Sequence, residues 1–408
     1  MTERLVYAAP HIPVVLDGGP PIRTHMLLRG LSQTFETTLV TFTYDDATPV
    51  PSWSSTELEG KFPGVSVIAV PASLAVAGLA KRRAQLASLA STRSWVFGRH
   101  EVPEFRRALQ GAVRDSGAAI VHYNDFGVAL SGPVDDTLNV YTAHNIEHRV
   151  LEGTAEATGG LRKAFTHLES RRVRKEELRL WREMDLCLAV SELDASAMKA
   201  AGARDVDICL VGIDPVPRYG MRLRRDDEPL RILFVGSGTY QPNELGIAWF
   251  VEDVFPRVRE VIPAAFDVVG PPPNRPIRAP GVEYRGYVPS LDDHYRDAHV
   301  AVIPIFIGSG TRGKVVEAMA YDTPVISTTV GAEGLQVRPG EHYIRADTAD
   351  EFVAALLDLA ERLRAPDVET HAMLDAGRAA AERHFWPNVV DDLVELYRSR
   401  IDGRLLRR

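Results

Sequence analysis

The sequence predicts an α/β protein made of two consecutive doubly wound domains, each with a parallel sheet. Three observations carry that prediction. Short apolar runs of four to seven residues alternate with segments of helical period along nearly the whole chain, which is the pattern of βαβ units. A polar, proline-containing stretch at 215–229 breaks the alternation once, near the middle. The length of 408 residues fits two to three domains at about 100–200 residues each.

In the first half, strands are predicted at 5–9, 38–42, 65–70, 118–122, 139–142, 186–190 and 208–211, each a short apolar run bounded by polar or turn residues. Between them, helices are expected at 24–34, 101–116, 161–183 and 192–201, with a long Ala/Leu/Arg-rich helical stretch at 74–94. After the linker the alternation restarts, with strands at 230–235, 265–269, 282–285, 300–303 and 324–327 and helices at 242–260, 312–321, 350–363 and 372–385. A last helix at 388–401 is free to pack on either domain. The expected boundaries are therefore 1–212 and 213–387, with 388–408 able to return to the first domain. Open α/β sheets bind ligands at the carboxyl ends of their strands, where loops meet helix N-termini, so the expected site is a central cleft faced by both sheets.

Composition narrows the class. With 45% hydrophobic, 25% charged and 8% aromatic residues, the chain has average globular composition, which excludes disordered, collagen-like and disulfide-stapled proteins. A net charge of -8 argues against a dedicated nucleic-acid binder, because neutralising phosphates requires a basic face. Cys187 and Cys209 both fall in apolar runs and read as small core residues in a reducing compartment. Met1-Thr-Glu-Arg-Leu-Val-Tyr leads directly into a strand, and no apolar run reaches about 18 residues, so neither a signal peptide nor a transmembrane segment is expected. The expected location is cytoplasmic.

The most informative segment runs from Ile303 to Thr328. A strand ends near Pro304, Gly308 and Gly310 allow a tight turn around Ser309, and a helix is expected to start near Thr311. Free amides and the positive end of the helix dipole favour an anion there, and Arg312 and Lys314 add charge. Further along the same helix, Glu317 supplies a carboxylate able to accept two hydrogen bonds from a vicinal diol such as a ribose.

The whole string, Gly-x-Gly-Thr-Arg-x-Lys-x-x-Glu-Ala-Met-Ala followed by Pro-Val-Ile-Ser-Thr and Gly331-Ala-Glu-Gly-Leu335, resembles the donor-site region of family 4 glycosyltransferases of the GT-B fold. Upstream, the segment from Ile232 through Gly238 to Asn243 looks like the first strand and loop of that family's donor domain. Val268-Val-Gly270 looks like its next strand, and Gly281 to Val288, with Tyr287, like the loop that holds the nucleobase. In the first half, Gly18-Gly19 resembles the fold's glycine turn opposite the donor phosphates. Ile120-Val-His-Tyr123 resembles the strand-end histidine facing the reacting sugar, and the turn from Thr142 to Glu147 resembles the family's His-Asn-x-Glu turn.

The resemblance implies a retaining glycosyltransferase that moves a sugar from a nucleoside-diphosphate donor, its co-substrate, to an acceptor hydroxyl on a sugar, a lipid-linked carrier or a natural product. It implies no required metal or other cofactor. Under it, Gly310, Thr311, Arg312, Lys314, Gly18 and Gly19 hold the diphosphate, Ser309 belongs to the donor-binding set, Glu317 holds the ribose, Gly238 and Asn243 line the donor loop, and the backbone at Tyr287-Val288 takes the base. Arg312, Lys314, Glu317 and His122 form the catalytic set, with His144 and Asn145 on the acceptor side.

The sequence also departs from the family pattern. Ser309 stands where many members carry the first of two glutamates, and the stretch 237–243 lacks the cations many members place there. Arg312 and Lys314 are expected to supply that charge. The cations and acids of 161–183 (Glu169, Arg171, Arg172, Arg174, Lys175, Glu176, Glu177, Arg179, Arg182) read first as a solvated helix face laced with i,i+4 ion pairs. The other reading of that face is a surface for an anionic acceptor or lipid headgroups, which leaves peripheral contact with the inner face of the membrane open. His144-Asn-Ile-Glu-His148 lacks the glutamate placement of a zinc-protease helix, and no metal site is expected. Two alternatives stay open: a nucleotide-sugar epimerase of the 2-epimerase type, and a catalytically degenerate nucleotide-sugar-binding subunit.

Overall fold

A computed structural model describes residues 3–12, 19–44, 53–72, 85, 88, 91–98, 102–156, 158–307 and 313–405. The chain divides into two compact units, Met1–Val211 with Val389–Arg408, and Gly212–Asn388.

The first unit carries a seven-stranded sheet. Its elements are β1 (Arg4–Ala9), α1 (Gly19–Thr34), β2 (Glu36–Tyr44), α2 (Ser55–Lys61), β3 (Ser66–Ala72), α3 (Trp95–Gly98), α4 (Pro103–Ser116), β4 (Ile120–Tyr123), α5 (Phe126–Ala129), β5 (Leu138–Thr142), α6 (Glu147–Glu156), α7 (Gly160–Glu183), β6 (Leu186–Ala189), α8 (Glu192–Ala200) and β7 (Val206–Ile208). The strand order is β3-β2-β1-β4-β5-β6-β7, and the described pairings are parallel. The order reverses between β1 and β4, where a doubly wound sheet opens a crevice at its strand ends. The central strands are buried on both faces, as the unbroken apolar runs Leu-Val-Tyr-Ala-Ala and Leu-Cys-Leu-Ala require.

The second unit contains β8 (Leu230–Val235), α9 (Gln241–Trp249), a π-helical turn (Phe250–Val254), α10 (Phe255–Val261), β9 (Ala264–Val269), β10 (Val282–Gly286), α11 (Asp292–Asp297), β11 (Val300–Ile303), α12 (Gly313–Ala320), β12 (Val325–Ser327), a 3-10 turn (Val330–Ala332), β13 (Ile344–Arg345), α13 (Ala349–Arg362) and α14 (Val368–Glu382). Its sheet is ordered β10-β9-β8-β11-β12-β13, so the switch point lies between β8 and β11. The last helix, α15 (Trp386–Leu405), begins in the second unit and passes to the first at Val389.

Four sequence expectations change. The single helix expected at 242–260 is interrupted by the π turn. Pro256 has no N–H to continue the i→i−4 ladder, and the chain absorbs the lost bond as a bulge. The strand expected at 208–211 lies earlier, at β7, because the Cys209 carbonyl leaves the sheet to accept from Arg23 Nη2 at 2.8 Å. The helix expected from 24 begins at Gly19, with Pro20 and Pro21 in its first turn, where a missing N–H costs nothing.

The fourth change concerns α7. Glu169, Arg172, Glu176 and Glu177 are buried, so they do not belong to a solvated face, whereas Arg171, Arg174, Lys175, Arg179 and Arg182 face solvent. Glu169 Oε1 pairs with Arg172 Nη1 at 2.8 Å, while Oε2 accepts from Ser94 Oγ (3.1 Å), Trp95 N (2.8 Å) and Val96 N (3.1 Å), capping α3. The stretch expected as a helix at 74–94 lies mostly outside the described residues.

Candidate functional site

In the second unit, the switch point gathers the loop after β8 and the start of α12. Gly236 follows β8 with φ +151°, a conformation that disfavours a side chain, and a Cβ there would lie 3.3 Å from Lys314 Cε. Gly238 lies so close to the next loop that a Cβ would sit 2.5 Å from the Pro273 nitrogen, and its amide donates to Pro271 O at 2.7 Å. Asn243, in the first turn of α9, is nearly buried. Its Nδ2 donates to Ser237 O at 2.8 Å, and its Oδ1 accepts from Lys314 Nζ at 3.2 Å. Lys314 also stands over the Phe234 ring at 5.7 Å, so an ammonium is fixed beside the backbone turn that leaves β8.

Glu317 lies three residues on, on the same helix, half-buried. Its Oε2 accepts from the Tyr295 hydroxyl at 3.0 Å. Burial pushes its carboxyl above the ordinary range, while Tyr295 and Lys314 pull the other way and Asp214 adds to the rise. Tyr287 and Val288 follow β10; Tyr287 is 83% exposed and Val288 is half-buried. That loop is tied to the site edge, since Gly270 N donates to Gly286 O at 2.8 Å and Gly236 N to Val269 O at 2.9 Å. Gly238, Asn243, Lys314 and Glu317 are thus brought to one end of one sheet. Gly308, Ser309, Gly310, Thr311, Arg312 and, in the first unit, Gly18 lie outside the described residues, and Gly19 is the first residue of α1.

In the first unit, His122 lies on β4. It is 0% exposed on β4 and stacked on Tyr7 with centroids 4.8 Å apart. Its Nδ1 contacts the Tyr397 hydroxyl at 2.5 Å and its Nε2 the Thr142 hydroxyl at 3.2 Å. Burial holds its pKa down at about 3, so it is neutral and saturated, a packing residue at the centre of the sheet.

His144 and Asn145 sit half-buried after β5. His144 Nε2 contacts Asn124 O at 3.1 Å, and burial followed by the Arg23 charge lowers its pKa to about 3. Arg23, buried on α1, ties the same strand ends together by donating to Ala143 O at 2.5 Å and Cys209 O at 2.8 Å. Beside them Glu177 accepts from Glu147 N (2.9 Å) and contacts His148 Nδ1 (2.5 Å). Burial, then Asp125 and Glu177, push the Glu147 carboxyl up to about 8. His144 and His148 are therefore engaged by different partners. Among the described residues no cluster of three metal-ligating side chains occurs, and no helix is long and apolar enough to cross a membrane.

Tyr295 and Arg23 are the site-proximal residues that sequence reasoning did not single out. Tyr295 sits on a six-residue helix with no apolar period, and Arg23 precedes the segment whose periodicity marks α1.

Residues 229–362 match the family model of glycosyl transferases group 1. Over 173 residues, 42% of this chain, the sequence is 31% identical to the D-inositol 3-phosphate glycosyltransferase of Rhodococcus erythropolis, covering 34% of that protein. Over 225 residues, 52% of this chain, it is 27% identical to the phosphatidyl-myo-inositol mannosyltransferase of Mycobacterium tuberculosis, covering 58% of it. The chain thus spans between a third and three fifths of the length of these curated relatives. Sucrose-phosphate synthase from Thermosynechococcus elongatus superposes with a TM-score of 0.64 at 17% identity, covering 98% of this chain and all of that one. HepE of Anabaena, solved in complex with UDP and glucose, gives 0.60 at 12% identity over 97% and 100% of the two chains. WaaG, a glycosyltransferase of lipopolysaccharide biosynthesis, gives 0.59 at 12% over 96% and 99%. The fold is the one expected from the sequence, two Rossmann-like domains of the GT-B kind.

Proposed function

We propose, from a chain whose residues 229–362 form a glycosyl transferases group 1 domain, that the protein is a retaining glycosyltransferase using a nucleoside-diphosphate sugar. The second unit binds the donor nucleotide, and the first unit receives an acceptor bearing a free hydroxyl. The observation that carries this reading is the convergence of Lys314, Asn243 and the Gly236–Gly238 turn at the β8/β11 switch point, inside the matched residues.

Transfer develops negative charge on the departing diphosphate and positive charge on the loosened sugar. Groups fixed in advance at the diphosphate lower the barrier most, because they need no reorganisation when the charge appears. Lys314 is such a group. Asn243 holds its ammonium, and the carbonyl that Asn243 itself binds belongs to the turn beside it. Gly310, Thr311 and Arg312, which precede that helix in sequence, are the further donors this reading assigns, and Glu317 accepts from the ribose diol.

Two measurements test the reading. In a thermal-shift panel of UDP-, GDP- and dTDP-sugars, a cognate donor at about 100 times its Kd adds about 2.7 kcal/mol of stability. Absence of any shift across the panel contradicts the proposal. Lys314→Ala should weaken the donor's Kd by more than about threefold, given the roughly 1 kcal/mol or more that a charge-assisted contact carries. A smaller change removes Lys314 from the diphosphate site.

A further inference from the structure

Glu317 is held from behind. Tyr295, on α11 and 2% exposed, donates its hydroxyl to Glu317 Oε2 at 3.0 Å. Its ring cannot swing away, because it lies flat on Tyr321 (centroids 4.5 Å, interplanar 12°) and Tyr321 lies flat on Tyr219 (5.9 Å, 2°). The column is anchored in turn at Tyr321 and at the Tyr219 backbone. Tyr321 donates to Asp292 Oδ1 at 2.8 Å, and Asp322 Oδ2 accepts from the amides of Tyr219 (2.9 Å) and Gly220 (2.8 Å). Asp322 does so from a left-handed backbone, φ +55°, which a non-glycine residue keeps only where its surroundings fix it. The three tyrosines, with Arg222 and Arg296, line a cavity of about 240 Å³ beside this column.

We propose that Tyr295 is a positioning residue for nucleotide recognition: anchored by the tyrosine column, it fixes Glu317 through Oε2 and leaves Oε1 to accept from the 2′- and 3′-hydroxyls of the donor ribose. The inference rests on the reading of Glu317 as the ribose acceptor. A glutamate on a helix surface has three rotatable bonds and would lose that freedom on binding. One whose carboxylate is already bonded from the buried side has lost it in the folding step, so the contact with the diol is stronger. The tyrosine has a second consequence. Among the described residues, Lys314, Asp214, Tyr295 and Tyr321 are the charged and titratable groups that act on Glu317, and of these Tyr295 and Lys314 favour the carboxylate form that a diol needs.

The test measures UDP and GDP binding to the full chain by calorimetry, for wild type, Tyr295→Phe and Glu317→Gln. Each nucleotide is paired with its 2′,3′-dideoxy form and with pyrophosphate. Phe keeps the ring stack and removes only the hydroxyl, and an unchanged Tm verifies this. Tyr295→Phe should weaken the ribonucleotide about fivefold or more, the size of one typical net hydrogen bond, while the dideoxy nucleotide and pyrophosphate stay within about twofold. It should also move the acid limb of nucleotide affinity to higher pH, because the carboxyl loses a donor that favours its ionised form. Equal weakening of pyrophosphate would mean general damage and overturn the proposal, as would an unchanged ribonucleotide Kd with Glu317→Gln impaired. If wild type binds the ribonucleotide and Glu317→Gln is neutral, the ribose reading and the positioning role fall together. If wild type binds neither UDP nor GDP, the donor reading falls with them.

Discussion

Glu147 is a carboxyl in conflict with its surroundings. It lies half-buried at the start of α6, close to Asp125 and to Glu177, whose own carboxylate is committed to the Glu147 and His148 amides and the His148 ring. Its pKa of about 8 in the folded chain stands against an ordinary value near 4.5. The native state therefore keeps a proton that the unfolded state has lost, and stability falls as pH rises from about 4.5 to about 8. Glu147→Gln fixes the neutral form. The variant should match wild type at pH 4.5 and exceed it at pH 8.5 by at least about 2–4 °C in Tm, the shift that each 1 kcal/mol produces in a domain of this size. Thermal unfolding across that range checks it, and a wild type that gains stability on Glu147 ionisation relative to the variant would contradict it. His122 shows the same force acting with opposite sign. Burial removes its positive charge, which is why a histidine that looks like a site residue in sequence is packed away among Tyr7, Thr142 and Tyr397.

At the scale of elements, strands were the most legible, because a parallel strand covered on both faces must be an apolar run, and 230–235 and 300–303 match residue for residue. What the sequence hid depended on partners far along the chain. Nothing local shows that the Cys209 carbonyl turns to Arg23, or that Tyr397, 275 residues away, takes the His122 ring. Some signals were present and unused. Ser54 and Glu57 form a capping box for α2, and Pro256 marks the π turn. Helix α7 is the clearest case, because its charges look alike in sequence and separate only when packed. Glu169→Ala strips the buried Arg172 of its carboxylate and α3 of its cap, and should cost about 3–5 kcal/mol. Lys175→Ala on the exposed face should stay within about 0.5 kcal/mol. Urea unfolding of the two variants separates these outcomes, and comparable losses would reject the buried network. The residues proposed for the donor side read as a set in the sequence because one helix and one turn carry them. The Tyr295 contact was not, since it comes from another helix 22 residues earlier.

For the whole molecule, the net charge of -8 and the proposed diphosphate ligand have the same sign, and the two fields predict opposite responses to salt. If the global field governed encounter and binding, added salt would screen a repulsion and tighten the nucleotide. If the fixed ammonium of Lys314 governs, added salt screens an attraction and weakens it. The Debye length of about 10 Å at 0.1 M decides between them: charges spread over the surface lie mostly beyond it, whereas Lys314, held by Asn243 3.2 Å away, acts at contact distance. UDP or GDP affinity should therefore fall, by about two- to fivefold, between 0.05 and 0.5 M NaCl, and the slope should flatten in Lys314→Ala. Tighter binding at high salt would show that the acidic surface dominates and that the second unit does not concentrate enough positive charge to hold a diphosphate.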